Sequence, residues 1–207
     1  MEWLINSNSS FAGVQRGYLG TENANVLLKE LITTLNWESR DLNMYGKIVP
    51  QPRLIYACGE EGIVHKYSGL KIPLQPWVPQ IKDIMDHFMG IFNANNYFQT
   101  TYGVPLEFNS CLLNYYRDHN DSIYWHNDKE VHAPLFAVVT VSLGASREFL
   151  FRPIGSNSIK DQFGTILHNG DLVIMYGTTQ QQYMHSIPKI KNGECGPRIS
   201  LTYRLFK

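Results

Sequence analysis

The stretch SCLLNYYRDHNDSIYWHND, residues 110–128, is where the hydrophobic pattern of the chain turns from helical to β. Cys111–Tyr116 and Ile123–Asp128 are short runs of aromatic and aliphatic residues divided by turn signals. Downstream the same grammar recurs at Leu135–Leu143, Glu148–Arg152, Phe163–Leu167, Asp171–Tyr176, Met184–Ile187 and Ile199–Phe206. Eight short strands without intervening helices predict a sandwich or jelly roll and argue against a parallel α/β sheet.

Upstream, Val26, Leu27, Leu28, Leu31, Ile32 and Leu35 fall close to i, i+3, i+4 spacing, which predicts a helix. A second helical stripe comprises Ile81, Ile84, Met85, Phe88 and Phe92, with Pro79 as a first-turn proline. Between them, Lys47 to Trp77 carries Pro50, Pro52, Pro73 and Pro76, and reads as loops and short strands. The fold class expected is therefore α+β, mainly β: a jelly-roll core with N-terminal helices packed on it. Neither an internal repeat nor a low-complexity linker interrupts the 207 residues, so they read as one domain, with a helical layer and cover over residues 1–109 and the β core over 110–207.

Composition narrows the function classes. With 43% hydrophobic and 17% charged residues the chain is expected to fold. No apolar run approaches the roughly 18 residues of a membrane span, and the N-terminus has neither a basic region nor a long apolar core typical of secretion signals. Cys58, Cys111 and Cys195 are odd in number and far apart, which suits reduced thiols in an intracellular protein. Eighteen basic residues balance eighteen acidic ones, so the protein does not coat nucleic acid by charge alone. A local basic surface remains open, with Lys47, Arg147, Lys189 and Lys191 as its candidates.

Three features carry chemistry. His126 and Asp128 are two apart on an expected strand, where imidazole and carboxylate project to one face and reach the same ion. About 0.27 such pairs arise by chance at this composition (7 × 8 / 207), so the pair alone also reads as a hydrogen-bonded pair in a turn. His185 is the best third ligand, although by itself it also suits a half-buried strand position. Two histidines and a carboxylate form a facial triad that leaves positions open on Fe(II). In PRISLTYRLF, residues 197–206, Arg198, Ser200, Thr202 and Arg204 alternate with Ile199, Leu201, Tyr203 and Leu205. Buried in a barrel, two guanidiniums need an anionic partner such as a dicarboxylate; on an edge strand they simply face water.

The order of these pieces, together with Asn114-x-Tyr116, VTVSLGASREFLFRP, GDLVIMYGTTQQQYMHSIP and PRLIYACGEEGIVHKYSGL, resembles the AlkB family of Fe(II)/2-oxoglutarate dioxygenases from about Met44 to Phe206. Within it, the chain is most similar to the branch that repairs alkylated bases in DNA and RNA. The resemblance implies a double-stranded β-helix core in which His126, Asp128 and His185 hold Fe(II). Asn114, Tyr116, Arg198, Ser200, Thr202 and Arg204 would hold 2-oxoglutarate, Ser200 standing where relatives often carry Asn. It implies O2-dependent removal of an N-alkyl group as an aldehyde, with succinate and CO2 released. A base flipped from the stack would lie between Tyr67 and His126, with Ser68 and Glu130 lining the pocket. Tyr45, in MYGK, looks like the apolar finger of duplex-active members. Lys129 and His65 depart from the closest patterns, in which an acidic residue and Tyr are common. The partners implied are DNA or RNA with alkylated bases, met by a monomer and with no membrane. The rival readings are an AlkB-like oxygenase of protein or lipid, and a jelly-roll binding module without turnover.

Overall fold

The computed structural model describes residues 1–7, 9–44, 47–67, 70–128 and 135–206, with the backbone alone for residues 42–44, 47, 65–67, 70 and 71. The order along the chain is β1 (Glu2–Asn6), β2 (Ser10–Gln15), α1 (Thr21–Thr34), β3 (Asp41–Met44), β4 (Lys47–Pro50), β5 (Leu54–Gly59), β6 (Val64–Tyr67) and β7 (Leu70–Pro73). Then follow α2 (Pro79–Asn93), α3 (Tyr97–Tyr102), β8 (Ser110–Tyr116), β9 (Ile123–His126), β10 (Val138–Gly144), β11 (Arg147–Pro153), β12 (Phe163–Leu167) and β13 (Leu172–Gly177). The short α4 (Thr179–Gln182), β14 (Tyr183–Ile187) and β15 (Arg198–Arg204) complete the fold.

A seven-stranded sheet runs β1-β2-β13-β10-β15-β8-β5, and a four-stranded sheet runs β12-β11-β14-β9. Strand pairings within both are antiparallel. This is the jelly-roll architecture expected from the spacing of the late strands. Each face of the large sheet has its own apolar layer, because side chains alternate along a strand. On one face Val139, Val141, Leu143, Ile199, Leu201 and Tyr203 pack with Leu27 and Leu31 of α1 and Ile81, Met85 and Phe88 of α2. On the other, Val138, Val173 and Met175 meet Phe149, Phe151, Leu167 and Ile187 of the small sheet.

Both helices follow their stripes. Pro79 occupies the first turn of α2, where its missing N–H is no loss. In α1 the buried residues are Ala24, Leu27 and Leu31, while Val26 is exposed. The N-terminal segment holds more than helices: β1 and β2 extend the large sheet through pairing of β2 with β13. Their alternation was hidden by Ser, Asn and Gly, which carry little apolar signal even where, as at Ser10 and Gly13, they are buried. The cysteines are free thiols, and among the described residues no helix is long and apolar enough to cross a membrane.

Gly177 ends β13 and turns the chain into α4. Its φ is +68°, and a Cβ built there would lie 2.1 Å from the Ser9 carbonyl oxygen. Gly177→Ala should therefore cost more than the roughly 1–2 kcal/mol of a left-handed L-residue, because backbone must also move. Denaturant unfolding measures it, and a loss below about 0.5 kcal/mol would contradict this account of the turn.

Candidate active site

β15 is a central strand, flanked by β10 and β8, and all its residues are buried. That removes the reading of PRISLTYRLF as a solvent-facing edge. Arg198, Ser200, Thr202 and Arg204 point between the sheets into a cavity also lined by Asn114, Tyr116, His126, Thr140 and His185. The apolar members of the strand face the helices, as the alternation requires.

The small sheet delivers the imidazoles. His185 on β14 lies directly across from His126 on β9, with ring centroids 4.3 Å apart. The register slips between the His185–His126 and Ile187–Ile123 pairs: one intervening residue on β14, Ser186, faces two on β9, Tyr124 and Trp125. This bulge resets the alternation, so Ile123 and His126 both line the cavity. The Nδ1 of His126 lies 2.8 Å from the Tyr124 carbonyl; a carbonyl only accepts, so Nδ1 carries the proton and Nε2 keeps its lone pair.

β9 ends at His126, which corrects the expected strand to Asp128. Asp128 reaches His126 and His185 by a different route. Its backbone N–H, past the end of the ladder, donates to Oε1 of Gln180 at 2.9 Å. Its Oδ1 accepts from Nη2 of Arg204 at 2.6 Å, with both side chains nearly out of water. Its Oδ2 lies 3.7 Å from Nε2 of His185. Ligand atoms of His126, Asp128 and His185 all come within 4.8 Å of one another.

The electrostatics follow from this burial. Desolvation pushes the Asp128 carboxyl upward, but the Arg204 guanidinium and the two imidazoles outweigh it and hold its pKa near 2. Burial, reinforced by neighbouring His126, lowers His185 to about 3, and burial lowers His126 too. The set is thus one carboxylate and two neutral imidazoles, the protonation a divalent metal needs. Among the described residues, Asp128 Oδ2, Arg198 Nη1 and Arg204 Nε and Nη1 are buried without a hydrogen-bond partner. Orphaned groups of this kind are rare in native interiors, and here an acceptor and three cationic donors stand ready for a cation and an anionic ligand. The residues fit Fe(II) and a dicarboxylate.

Other contacts trim the cavity. Arg198 Nε donates to Ser142 Oγ at 3.1 Å, and its guanidinium lies 5.0 Å from the Tyr116 ring centroid. Asn114 Nδ2 is 3.5 Å from Ser200 Oγ, and Thr140 and Thr202 hydroxyls meet at 3.4 Å. Sequence reasoning missed Arg53 and Gln180. Arg53, buried, donates to Asn114 Oδ1 at 2.7 Å; its only signal was a cation entering a β run after Pro52. Arg147 leaves the group of surface cations: it is 2% exposed, and its guanidinium donates to the carbonyls of Asp121 and Pro188. On the substrate side, Tyr45, Ser68, Lys129 and Glu130 lie outside the described residues, and His65 and Tyr67 stand on β6, described by backbone only.

A pH dependence follows for the metal-free protein. In the unfolded chain His185 takes a proton near pH 6.5, whereas folded it stays neutral until about pH 3. The stability this contributes is complete above pH 6.5 and is lost as pH falls toward 3, by up to about 1.4 kcal/mol per pH unit. Denaturant unfolding between pH 7 and 5 should show that slope, flattened in His185→Gln. A wild-type protein that gains stability on acidification would contradict the neutral imidazole.

The 2OG-Fe(II) oxygenase superfamily profile matches residues 12–204. Human "DNA oxidative demethylase ALKBH2" is 31% identical over 169 residues, covering 79% of this chain and 60% of that protein. Mouse "Alpha-ketoglutarate-dependent dioxygenase alkB homolog 3" is 30% identical over 196 residues, covering 91% and 63% respectively. The chain thus spans about three-fifths of the length of these relatives. The solved structure of OsALKBH1 superposes with a TM-score of 0.58 at 18% identity, covering 93% of this chain and 97% of the other, which speaks to the fold.

Proposed function

The chain belongs to the 2OG-Fe(II) oxygenase superfamily, and from that premise we propose that it removes N-alkyl groups oxidatively from bases in DNA or RNA, of the 1-methyladenine and 3-methylcytosine type. The observation that carries this reading is the His126, Asp128 and His185 cluster set against two buried arginines whose donors are partly unpaired among the described residues. The nucleic-acid part rests on the relatives named as a DNA oxidative demethylase and an alkB homolog. Fe(II), 2-oxoglutarate and O2 are the family's metal, cosubstrate and oxidant; when bound they supply the two-electron hydroxylation of the alkyl carbon, yielding succinate and CO2. The hydroxylated N-alkyl group then leaves as formaldehyde when it is methyl.

The chain's own residues bind and orient. His126, Asp128 and His185 would hold the metal, His126 through the Nε2 lone pair that its Nδ1 contact leaves available and Asp128 through its carboxylate. Arg198 takes a carboxylate of 2-oxoglutarate by its guanidinium fork, with Tyr116, Asn114, Ser200 and Thr202 around the cosubstrate. Arg204 both steadies Asp128 and offers its remaining N–H groups to the ligand; the 2.6 Å contact supports the first role. On the base side, Tyr67 stacks on the flipped base opposite His126, Ser68, Glu130 and His65 line that pocket, and Tyr45 wedges into the duplex. An intracellular monomer is part of the same proposal.

Mass spectrometry of oligonucleotides carrying 1-methyladenine, 3-methylcytosine or 1,N6-ethenoadenine tests it. Dealkylation should require Fe(II) and 2-oxoglutarate and fall to background in Asp128→Ala. Arg198→Lys should raise the 2-oxoglutarate requirement by about tenfold, since an ammonium cannot reproduce the fork. Iron-loaded, folded protein that turns over 2-oxoglutarate but leaves every lesion intact would overturn the nucleobase reading.

A further inference from the structure

We infer that Gln180 is a positioning residue for the metal centre: one side chain that fixes the backbone of Asp128 relative to the strand carrying His185. The inference rests on the reading of His126, Asp128 and His185 as metal ligands. Asp128 is the ligand that secondary structure leaves unsupported, because β9 stops two residues earlier, at His126. In a strand its N–H would join the ladder; here it donates to Gln180 Oε1 at 2.9 Å. The clamp is double, since Asn127 Nδ2 donates to the Gln180 carbonyl at 2.8 Å. Gln180 is 3% exposed, and its Nε2 faces Met175 Sδ of β13 at 3.6 Å, so its amide oxygen is held toward Asp128.

What makes the clamp stiff is the anchoring of α4. Thr179 Oγ1 donates toward the Phe11 and Tyr176 carbonyls at 2.9 Å each and accepts from Phe11 N–H at 2.8 Å. The Thr178 N–H donates to the Ser9 carbonyl at 2.7 Å. α4 is thereby tied to β2 and the residue before it in the large sheet, and β14 follows it directly, with His185 five residues after Gln180. Gln180 thus joins the loop that presents the carboxylate to the strand that presents the second imidazole. Groups one shell out from a metal's ligands typically account for 10–100-fold in metal affinity.

The test uses Co(II), an air-stable stand-in for Fe(II), titrated into the full chain and followed by its visible d–d absorption. Gln180→Met keeps the length of the side chain and removes the acceptor. With metal-free thermal unfolding and far-UV CD showing a folded variant, Kd for Co(II) should rise about tenfold or more, with an altered band shape. An unchanged Kd and spectrum would overturn the inference while leaving the metal site intact. Should Gln180→Met fail to fold, Asn127→Ala breaks the other half of the clamp from a partly buried side chain, and Kd should rise at least about threefold; no change there would overturn it equally. Asp128→Ala separates the two levels: if it binds Co(II) as the wild type does, the ligand assignment fails, and the role of Gln180 falls with it.

Discussion

A carboxylate and a guanidinium, both nearly sealed from water and 2.6 Å apart, are the contact on which the rest of the site depends. Asp128 comes from the loop after the edge strand of the small sheet and Arg204 from the end of a central strand of the large one, so their ion pair ties the two sheets together. Neither charge is tolerable alone at that depth: breaking a buried pair typically costs about 3–5 kcal/mol. Among the described residues the pair also leaves Oδ2 of Asp128 and two donor atoms of Arg204 without a hydrogen-bond partner. A jelly roll that carries such groups in its interior is poised for ligands, because an empty binding module would gain stability by replacing them with apolar residues.

The imidazoles complete this logic. His126 is turned inward by a bulge and fixed in one tautomer by the Tyr124 carbonyl, and burial keeps His185 neutral. The arrangement is therefore preorganised in protonation as well as in position, and little has to change for a divalent metal to enter.

Much of this was legible in the sequence, for identifiable reasons. Period-2 alternation in β15 separated Arg198 and Arg204 from Ile199, Leu201 and Tyr203, because a strand buried on both faces must sort its side chains. The late strands were readable because β-branched and aromatic runs are broken by turn residues. The carboxylate was found for a partly wrong reason: Asp128 joins His126 through the Gln180 amide and Arg204, not through strand geometry. Tertiary contacts of that kind leave no local pattern, and the same holds for Arg53 and for the burial of Arg147, both indistinguishable in sequence from surface cations. The hairpin β1–β2 escaped because its Ser, Asn and Gly residues carry little alternation.

The central claim is that this cavity binds Fe(II) and 2-oxoglutarate together. Anaerobic titration of the Fe(II)-loaded protein with 2-oxoglutarate tests it most directly, through the visible charge-transfer band that arises when a ketoacid chelates Fe(II). A band that saturates at one equivalent and is abolished by removing any of the three ligands is expected. Folded, iron-loaded protein that develops no band, or that develops it unchanged in Asp128→Ala, would contradict it.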